Sequence, residues 1–388
     1  MEPLPTVIRM NNVLGFCSVQ FDRKYGRYCE GGRQMFLVRI AFTIVLHVYY
    51  LWYASETREG RIRQSNVIYG LMLEAESHLW FVRNYIIALN GLIYSKKVVK
   101  MLNTSRHISW EVERKFNHIN FQNTITKKQI WLSAITTVIV NLLLLVCLYD
   151  INSNFNSFFN MSVDLLFNVM GTETDLYLLM FSFFVIKIRA ELVFFNKYMQ
   201  QKICLQQVKL MFEIYAEIIS QMGLLAQSFA VPIMFNSMLL FYEATMALFR
   251  MYCMFTDVYD PESATAEIAS YCIWFIPFAI KMTLTMKMAT LTTEKANEAA
   301  LSTRHFDDYS MKNTKLAKQI NKFLLKNLHQ KKKFSAFGFF NIDNSVIYTV
   351  FSSIITYLVI LIQFKQLEND LTHGNSGNET ISAAGGST

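Results

Sequence analysis

An all-α membrane protein of seven transmembrane helices is the fold this sequence predicts, and three observations predict it. The 388-residue chain is 53% hydrophobic and 14% aromatic but only 17% charged, too apolar a balance for an ordinary soluble domain. Apolar windows fall near 35–54, 66–95, 129–150, 158–187, 225–254, 267–292 and 345–364. Each is long enough to cross a hydrocarbon core of about 30 Å at about 1.5 Å per helical residue. Glycine and proline number only 14 and 5, so long helices dominate and a β-barrel is disfavoured.

The first 34 residues are polar and basic, and apolar character starts at Met35. They contain no cleavable signal and read as a cytosolic N-terminal segment. With the N-terminus inside, the inner segments are 1–34, 96–128, 188–224 and 293–344, and they carry 27 Lys and Arg residues. The outer segments 55–65, 151–157, 255–266 and 365–388 carry 4. This bias predicts a multi-pass protein with a cytoplasmic N-terminus and an extracellular C-terminus. The net charge of +8 is spread over several loops, a topology signal rather than a nucleic-acid patch, so no nucleic-acid partner is expected. The sequons at Asn160 and Asn378 fall outside and are expected to be glycosylated, whereas Asn103 falls inside and is expected to stay bare.

Two inner stretches have helical periodicity. Lys312, Lys315, Lys318, Lys322 and Lys326 interleave with Leu316, Ile320, Phe323, Leu324 and Leu328, which makes 293–344 an amphipathic extension of the sixth span. Residues 188–224 place Leu192, Phe195, Met199, Leu210, Phe212, Ile214 and Ile218 similarly. The two together predict a cytosolic helical bundle, with helices resting on anionic headgroups as the alternative. The tail 369–388 is glycine-rich, polar and expected to be disordered.

Cys253 and Cys272 flank the third outer loop and read as small buried hydrophobes, with a bridge between them as the alternative. There is no CxxC pair and no His/Cys cluster at zinc spacing, so no metal and no cofactor is expected. The seven histidines read as unpaired and mostly outside the spans, and no catalytic constellation emerges, so the chain is not expected to be an enzyme.

The last window carries no charge from Ser345 to Phe364. On its helix Ser352, Thr356, Ile360, Phe364 and Glu368 fall on one stripe, with Gln363 beside it. Polar groups on such a stripe either bond to neighbouring spans or line a wet path. Within it the run Thr356-Tyr357, five apolar residues, Gln363-Phe364 resembles the C-terminal signature of insect gustatory receptors. That family comprises seven-helix, ligand-gated cation channels opened by small-molecule tastants. The resemblance implies a homo- or hetero-tetramer with other gustatory receptor subunits in the plasma membrane of a sensory neuron. It implies that 293–344 is the anchor domain, 345–368 the pore-lining helix, and the Gln363–Phe364 pair the gate. Four copies of the stripe would give a wet inner pore, a constriction at Ile360, and a carboxylate ring at Glu368 that draws cations.

The resemblance also implies an outward-facing ligand pocket within spans 1–6, residues 35–292. The expected contacts are Trp80, Tyr149, Tyr242, Glu243, Tyr271, Trp274 and Phe275, aromatics with few polar groups. Glu243 is expected to meet a cationic amine or Arg250, and Lys281 and Lys287 to snorkel toward inner headgroups. Sugar-tuned members of the family carry a glutamate directly after the Thr-Tyr pair. Leu358 stands there, which favours a bitter-type ligand. A related olfactory-type channel, or an orphan subunit needing a co-receptor, is the alternative; a transporter is disfavoured by the lack of internal repeats. The expected inverted topology and the missing Asp-Arg-Tyr and Asn-Pro-x-x-Tyr motifs argue against a G-protein-coupled receptor.

Overall fold

A computed structural model describes residues 5–62, 67–116, 158–199, 205–256, 261–302 and 331–384, with single positions at 135, 139, 318, 320, 322, 323 and 325. The third window, 129–150, lies outside the described residues except at Ile135 and Ile139. Among the described residues, helices α1 (Thr6–Val13), α2 (Gln34–Ile62), α3 (Val67–Phe116), α4 (Phe158–Met199), α5 (Leu205–Thr256), α6 (Pro261–Leu301) and α7 (Ser345–Ala384) form the architecture. Two short antiparallel hairpins accompany them, β1 (Val19–Asp22) with β2 (Arg27–Glu30), and β3 (Ser335–Ala336) with β4 (Phe340–Asn341).

Helices α3 to α6 are 41 to 52 residues long, about twice what a bilayer requires. Each therefore projects beyond the membrane, and the two ends bury different chemistry. At the end nearest the N-terminal segment, α3, α4, α5 and α6 form a continuous apolar core through Met101, Leu192, Phe195, Met211, Ile218 and Ala296. Phe323 stacks on Phe212 with ring centroids 4.1 Å apart and meets Tyr215 edge-on at 5.2 Å. At the other end a separate cluster of Tyr50, Tyr53, Phe81, Val163, Leu166 and Met170 joins α2, α3 and α4. The outward face of α2 leaves Leu37, Val38, Val45 and Val48 exposed, a belt that lipid must cover.

Only Gln34–Ser55, Gln206–Met254 and Ser345–Leu367 are helices apolar enough to cross a membrane by composition among the described residues. Helices α3, α4 and α6 carry charged residues within their apolar stretches, and several of these pair across the bundle.

The N-terminal segment is ordered, which its polar composition conceals. Asn103 of α3 accepts from the Tyr28 backbone N–H at 2.8 Å and donates to the Tyr28 carbonyl at 2.9 Å, pairing like a strand residue. Asn103 is therefore committed to a backbone contact. The chain at Phe16 passes so close to α3 that a Cβ on Gly91 would lie 2.2 Å from the Phe16 carbonyl oxygen.

Pro232 sits inside α5 and has no N–H to give the Ser228 carbonyl one turn earlier. Asn90 of α3 supplies the missing donor, at 2.6 Å to Ser228 O, and also reaches the Tyr177 hydroxyl at 2.6 Å. One asparagine thus repairs the helix defect and ties α3 to α4 and α5.

Two expectations change. Residues 369–384, expected to be disordered, continue α7 to Ala384; extending an existing helix needs no nucleus, and no proline interrupts it. Residues 331–344 are not helical but form a loop and the β3–β4 hairpin. Its turn uses Phe337 and Gly338 at positive φ, a backbone that breaks helical periodicity. No disulfide joins Cys253 to Cys272.

Candidate functional site

Charged residues inside apolar windows need partners, because a low-dielectric interior penalises an isolated charge by several kcal/mol. Four acids and four bases meet this need within the bundle. Arg39 of α2 holds Glu173 of α4 in a two-pronged pair, one arm at 2.6 Å, and reaches Asn84 Oδ1 of α3 at 3.2 Å. Asp175, two residues along α4, pairs with Lys281 of α6. Arg250 of α5 meets Glu76 of α3 at 3.6 Å. Arg83 stacks over the Trp80 ring, 3.9 Å from its centroid, and the charges of Asp175 and Glu243 reach it.

Trp80 is the pivot of this layer. Its Nε1–H donates to Glu243 Oε1 of α5 at 2.8 Å. Its indole meets Phe167 edge-on at 6.1 Å and lies against Gly171, where a Cβ would come within 3.4 Å. Tyr242 stands beside Glu243 and its O–H donates to the Met72 carbonyl at 2.5 Å. Such a surface combines a broad aromatic face, a carboxylate and two guanidinium groups, which suits a small organic molecule with one polar handle.

A second polar feature joins α2 and α3. The imidazoles of His47 and His78 meet at 3.2 Å, His47 stacks on Phe81 at 4.3 Å, and the Tyr85 hydroxyl is 3.4 Å from His47 Nδ1. Both histidines lie within spans and are paired, contrary to expectation, because a lone histidine in an apolar window gives no hint of a partner on another helix.

Of the expected ligand contacts, Trp80, Tyr242 and Glu243 come together. Phe275 lines an apolar cavity shared with Arg250 and Phe351. Tyr149 and the side chains of Tyr271 and Trp274 lie outside the described residues. Two partner assignments are corrected. Glu243 takes the Trp80 N–H, and Arg250 pairs with Glu76 instead, since α3 supplies an acid at the depth of Arg250. Lys281 does not snorkel, because Asp175 on the adjacent helix satisfies its ammonium in place.

On α7 the stripe Ser352, Thr356, Ile360, Gln363 and Phe364 is exposed, Ile360 by 39% and Phe364 by 52%. The opposite face, with Ile354, Leu358, Leu361 and Lys365 at spacings of four, three and four, is buried or half-buried. Tyr357 meets Phe241 of α5 edge-on at 5.2 Å. Thr356 Oγ1 donates to the Ser352 carbonyl at 3.3 Å. The side chains of Glu368, Asn160 and Asn378 lie outside the described residues. Only 6% of the apolar window of α7 is buried, against 56% for α5.

The comparisons place this helical architecture in a known family of membrane receptors. The sequence matches the 7tm Chemosensory receptor family over residues 4–368, so the chain belongs to that family. Similar relatives in Drosophila melanogaster include "Gustatory and pheromone receptor 39a, isoform A", 34% identical over 111 residues, 29% of each chain. "Gustatory and pheromone receptor 32a" is 36% identical over 120 residues, 30% of this chain and 25% of that one. "Gustatory receptor 68a" is 40% identical over 99 residues, 25% and 24%. The matches span less than a third of each relative's length. Among solved structures, the insect olfactory receptor OR5 from Machilis hrabei superposes with a TM-score of 0.67 at 11% identity, covering 92% of this chain and 96% of that one. The same receptor in complex with eugenol gives 0.59. Both likenesses concern the fold.

Proposed function

We propose that this protein is a gustatory receptor that works as a tetrameric, ligand-gated, non-selective cation channel opened by small-molecule tastants. The observation that carries the reading is α7. It is the most apolar of the spanning helices, yet its polar stripe of Ser352, Thr356 and Gln363 faces away from its own subunit. Lipid is a poor partner for hydroxyls and an amide, whereas four such faces around an axis would enclose water. In that assembly Ile360 and Phe364 form the apolar constriction, and Glu368 the acidic mouth.

The inner-loop excess of Lys and Arg favours a cytoplasmic N-terminus, an extracellular C-terminus, and a cytosolic position for the packed ends of α3 to α6. The end bearing Phe212 and Phe323 then serves as the anchor between subunits. The tastant site is the layer of Trp80, Tyr242 and Glu243, completed by Tyr149, Tyr271 and Trp274. Leu358 after the Thr-Tyr pair favours a bitter-type ligand over a sugar. Two of the similar relatives are named gustatory and pheromone receptors, which favours a pheromone as the second reading.

The test is whole-cell current for wild type and Phe364→Ala under a panel of bitter compounds, sugars and long-chain hydrocarbons, with surface expression matched. Ligand-evoked cation current in the wild type and standing leak in the variant are expected. Wild-type current that passes unchanged through Phe364→Ala would remove the gate from this position.

A further inference from the structure

We propose that the β3–β4 hairpin docks the protein onto anionic lipid, with Phe337 and Phe339 dipping into the bilayer edge and Lys331 and Lys333 holding the headgroups. The hairpin is firmly tied to the bundle. Asn297 of α6 pairs with the backbone of Lys332, accepting from its N–H at 2.8 Å and donating to its carbonyl at 3.2 Å. Phe334 is 1% exposed and meets Phe181 of α4 edge-on at 6.4 Å. The Ile342 N–H donates to the Phe334 carbonyl at 2.7 Å, and the Asn344 N–H to Thr290 Oγ1 of α6 at 3.1 Å. Both ends of the hairpin are thus fixed, and its tip is held out from them.

The tip carries a cost that its own subunit does not offset. Ser335 pairs with Asn341 and Ala336 with Phe340, which leaves Phe337, Gly338 and Phe339 as the turn. Phe337 stands at φ 51°, a left-handed backbone that a bulky side chain rarely adopts. Glycine would sit there without strain. Yet Phe337 is 52% and Phe339 84% exposed, so neither ring is there to pack the core. A strained residue with its side chain turned outward points to a contact outside the subunit.

The level of the hairpin names that contact. Its partners Thr290 and Phe181 lie two and six residues from the ends, 292 and 187, of their apolar windows, about 3 and 9 Å along a helix. The hairpin therefore stands where hydrocarbon gives way to headgroups, and the spanning helix α7 starts directly after it at Ser345. Lys331 and Lys333 precede the tip and are exposed. Aromatic rings beside lysines are the composition of a segment that lies in the membrane interface. The core of a protein–protein interface is instead depleted of lysine, which disfavours a second copy as the occupant. With the N-terminus inside, the leaflet is the cytoplasmic one, where anionic lipids gather. The choice of leaflet rests on the proposed orientation; the contact with lipid does not.

Full-length receptor in nanodiscs with the same lipids in both leaflets tests the contact whichever way the chain is oriented. Phe339→Trp places an emitter at the tip, read as the difference from wild type. Phosphatidylcholine brominated near the headgroup end of its chains is expected to quench that added emission about twofold or more, and lipid brominated near the chain ends far less. Receptor purified from an equal mixture of phosphatidylserine and phosphatidylcholine is expected to retain an excess of phosphatidylserine, counted by mass spectrometry. Lys331→Gln with Lys333→Gln is expected to lower that excess about twofold. Added emission indifferent to brominated lipid, or an excess unchanged in the lysine variant, would overturn the docking. Disulfide-linked dimers of Phe339→Cys without bromine quenching would assign the face to a second copy and overturn it equally.

Discussion

Arg39 and Glu173 show how a single residue's meaning changes with its partner. In the sequence Arg39 is one basic residue at the start of an apolar window, with no sign of a partner 134 positions away. In the fold it is 6% exposed and gripped by both oxygens of Glu173. Removing one member of a buried pair typically costs about 3–5 kcal/mol, because the survivor is left uncompensated. Glu173→Ala is therefore expected to lower the melting temperature of detergent-purified receptor sharply. Arg39→Met with Glu173→Leu should recover most of that loss, and additive losses in the double variant would show that the pair is not coupled. Cys17 makes the converse case. Burial, slightly opposed by a backbone hydrogen bond at Ser18, pushes its thiol up to about 12, against about 8.5 for a free cysteine. The thiolate is the reactive form, so Cys17 should resist maleimide at pH 8 in the folded receptor and label readily once unfolded. Fast labelling in the native state would mean the N-terminal segment opens.

At the scale of elements, the long helices among the described residues are legible in the sequence and the contacts between them are not. Hydropathy reports a helix's length because lipid solvates every side chain it touches, and α2, α5 and α7 stand out for that reason. The stripe on α7 was legible too, since helical spacing alone puts Ser352, Thr356, Ile360 and Phe364 on one face. Pairings across helices depend on rotation and depth, which no periodicity encodes, so the Trp80–Glu243 bond was foreseen as a neighbourhood but not as a contact. The His47–His78 contact was missed altogether. The ordered N-terminal segment was hidden for a related reason: its β1–β2 hairpin is polar and is recognised by Asn103 rather than by an apolar face. Asn90 offers a test at this scale. Asn90→Leu leaves the Ser228 carbonyl without its donor at the Pro232 break, and a buried unsatisfied group costs about 1–3 kcal/mol. A matching loss of thermal stability is expected. Gly91→Ala should lose at least as much, by driving a Cβ into the Phe16 backbone; a neutral Gly91→Ala would mean the N-terminal segment is not held there.

For the whole molecule, the distribution of burial is the telling feature. Helices α2 to α6 pair charges across the bundle, Arg39 with Glu173, Lys281 with Asp175 and Arg250 with Glu76, and α3 to α6 close a core. Helix α7 differs: its apolar window is almost unburied, and its outward face mixes hydroxyls and an amide with Ile360 and Phe364. Under the proposed channel reading, this unburied face of α7 is the surface that a shared central pore would use. Cysteine accessibility along α7 in the open channel tests this most directly. Cysteines at Ser352, Thr356, Ile360 and Phe364 should each allow a small cationic thiosulfonate to block ligand-evoked current, while cysteines at Ile354, Leu358 and Leu361 should not. Block that shows no helical period, or that follows the Ile354 face instead, would contradict a pore built on this stripe.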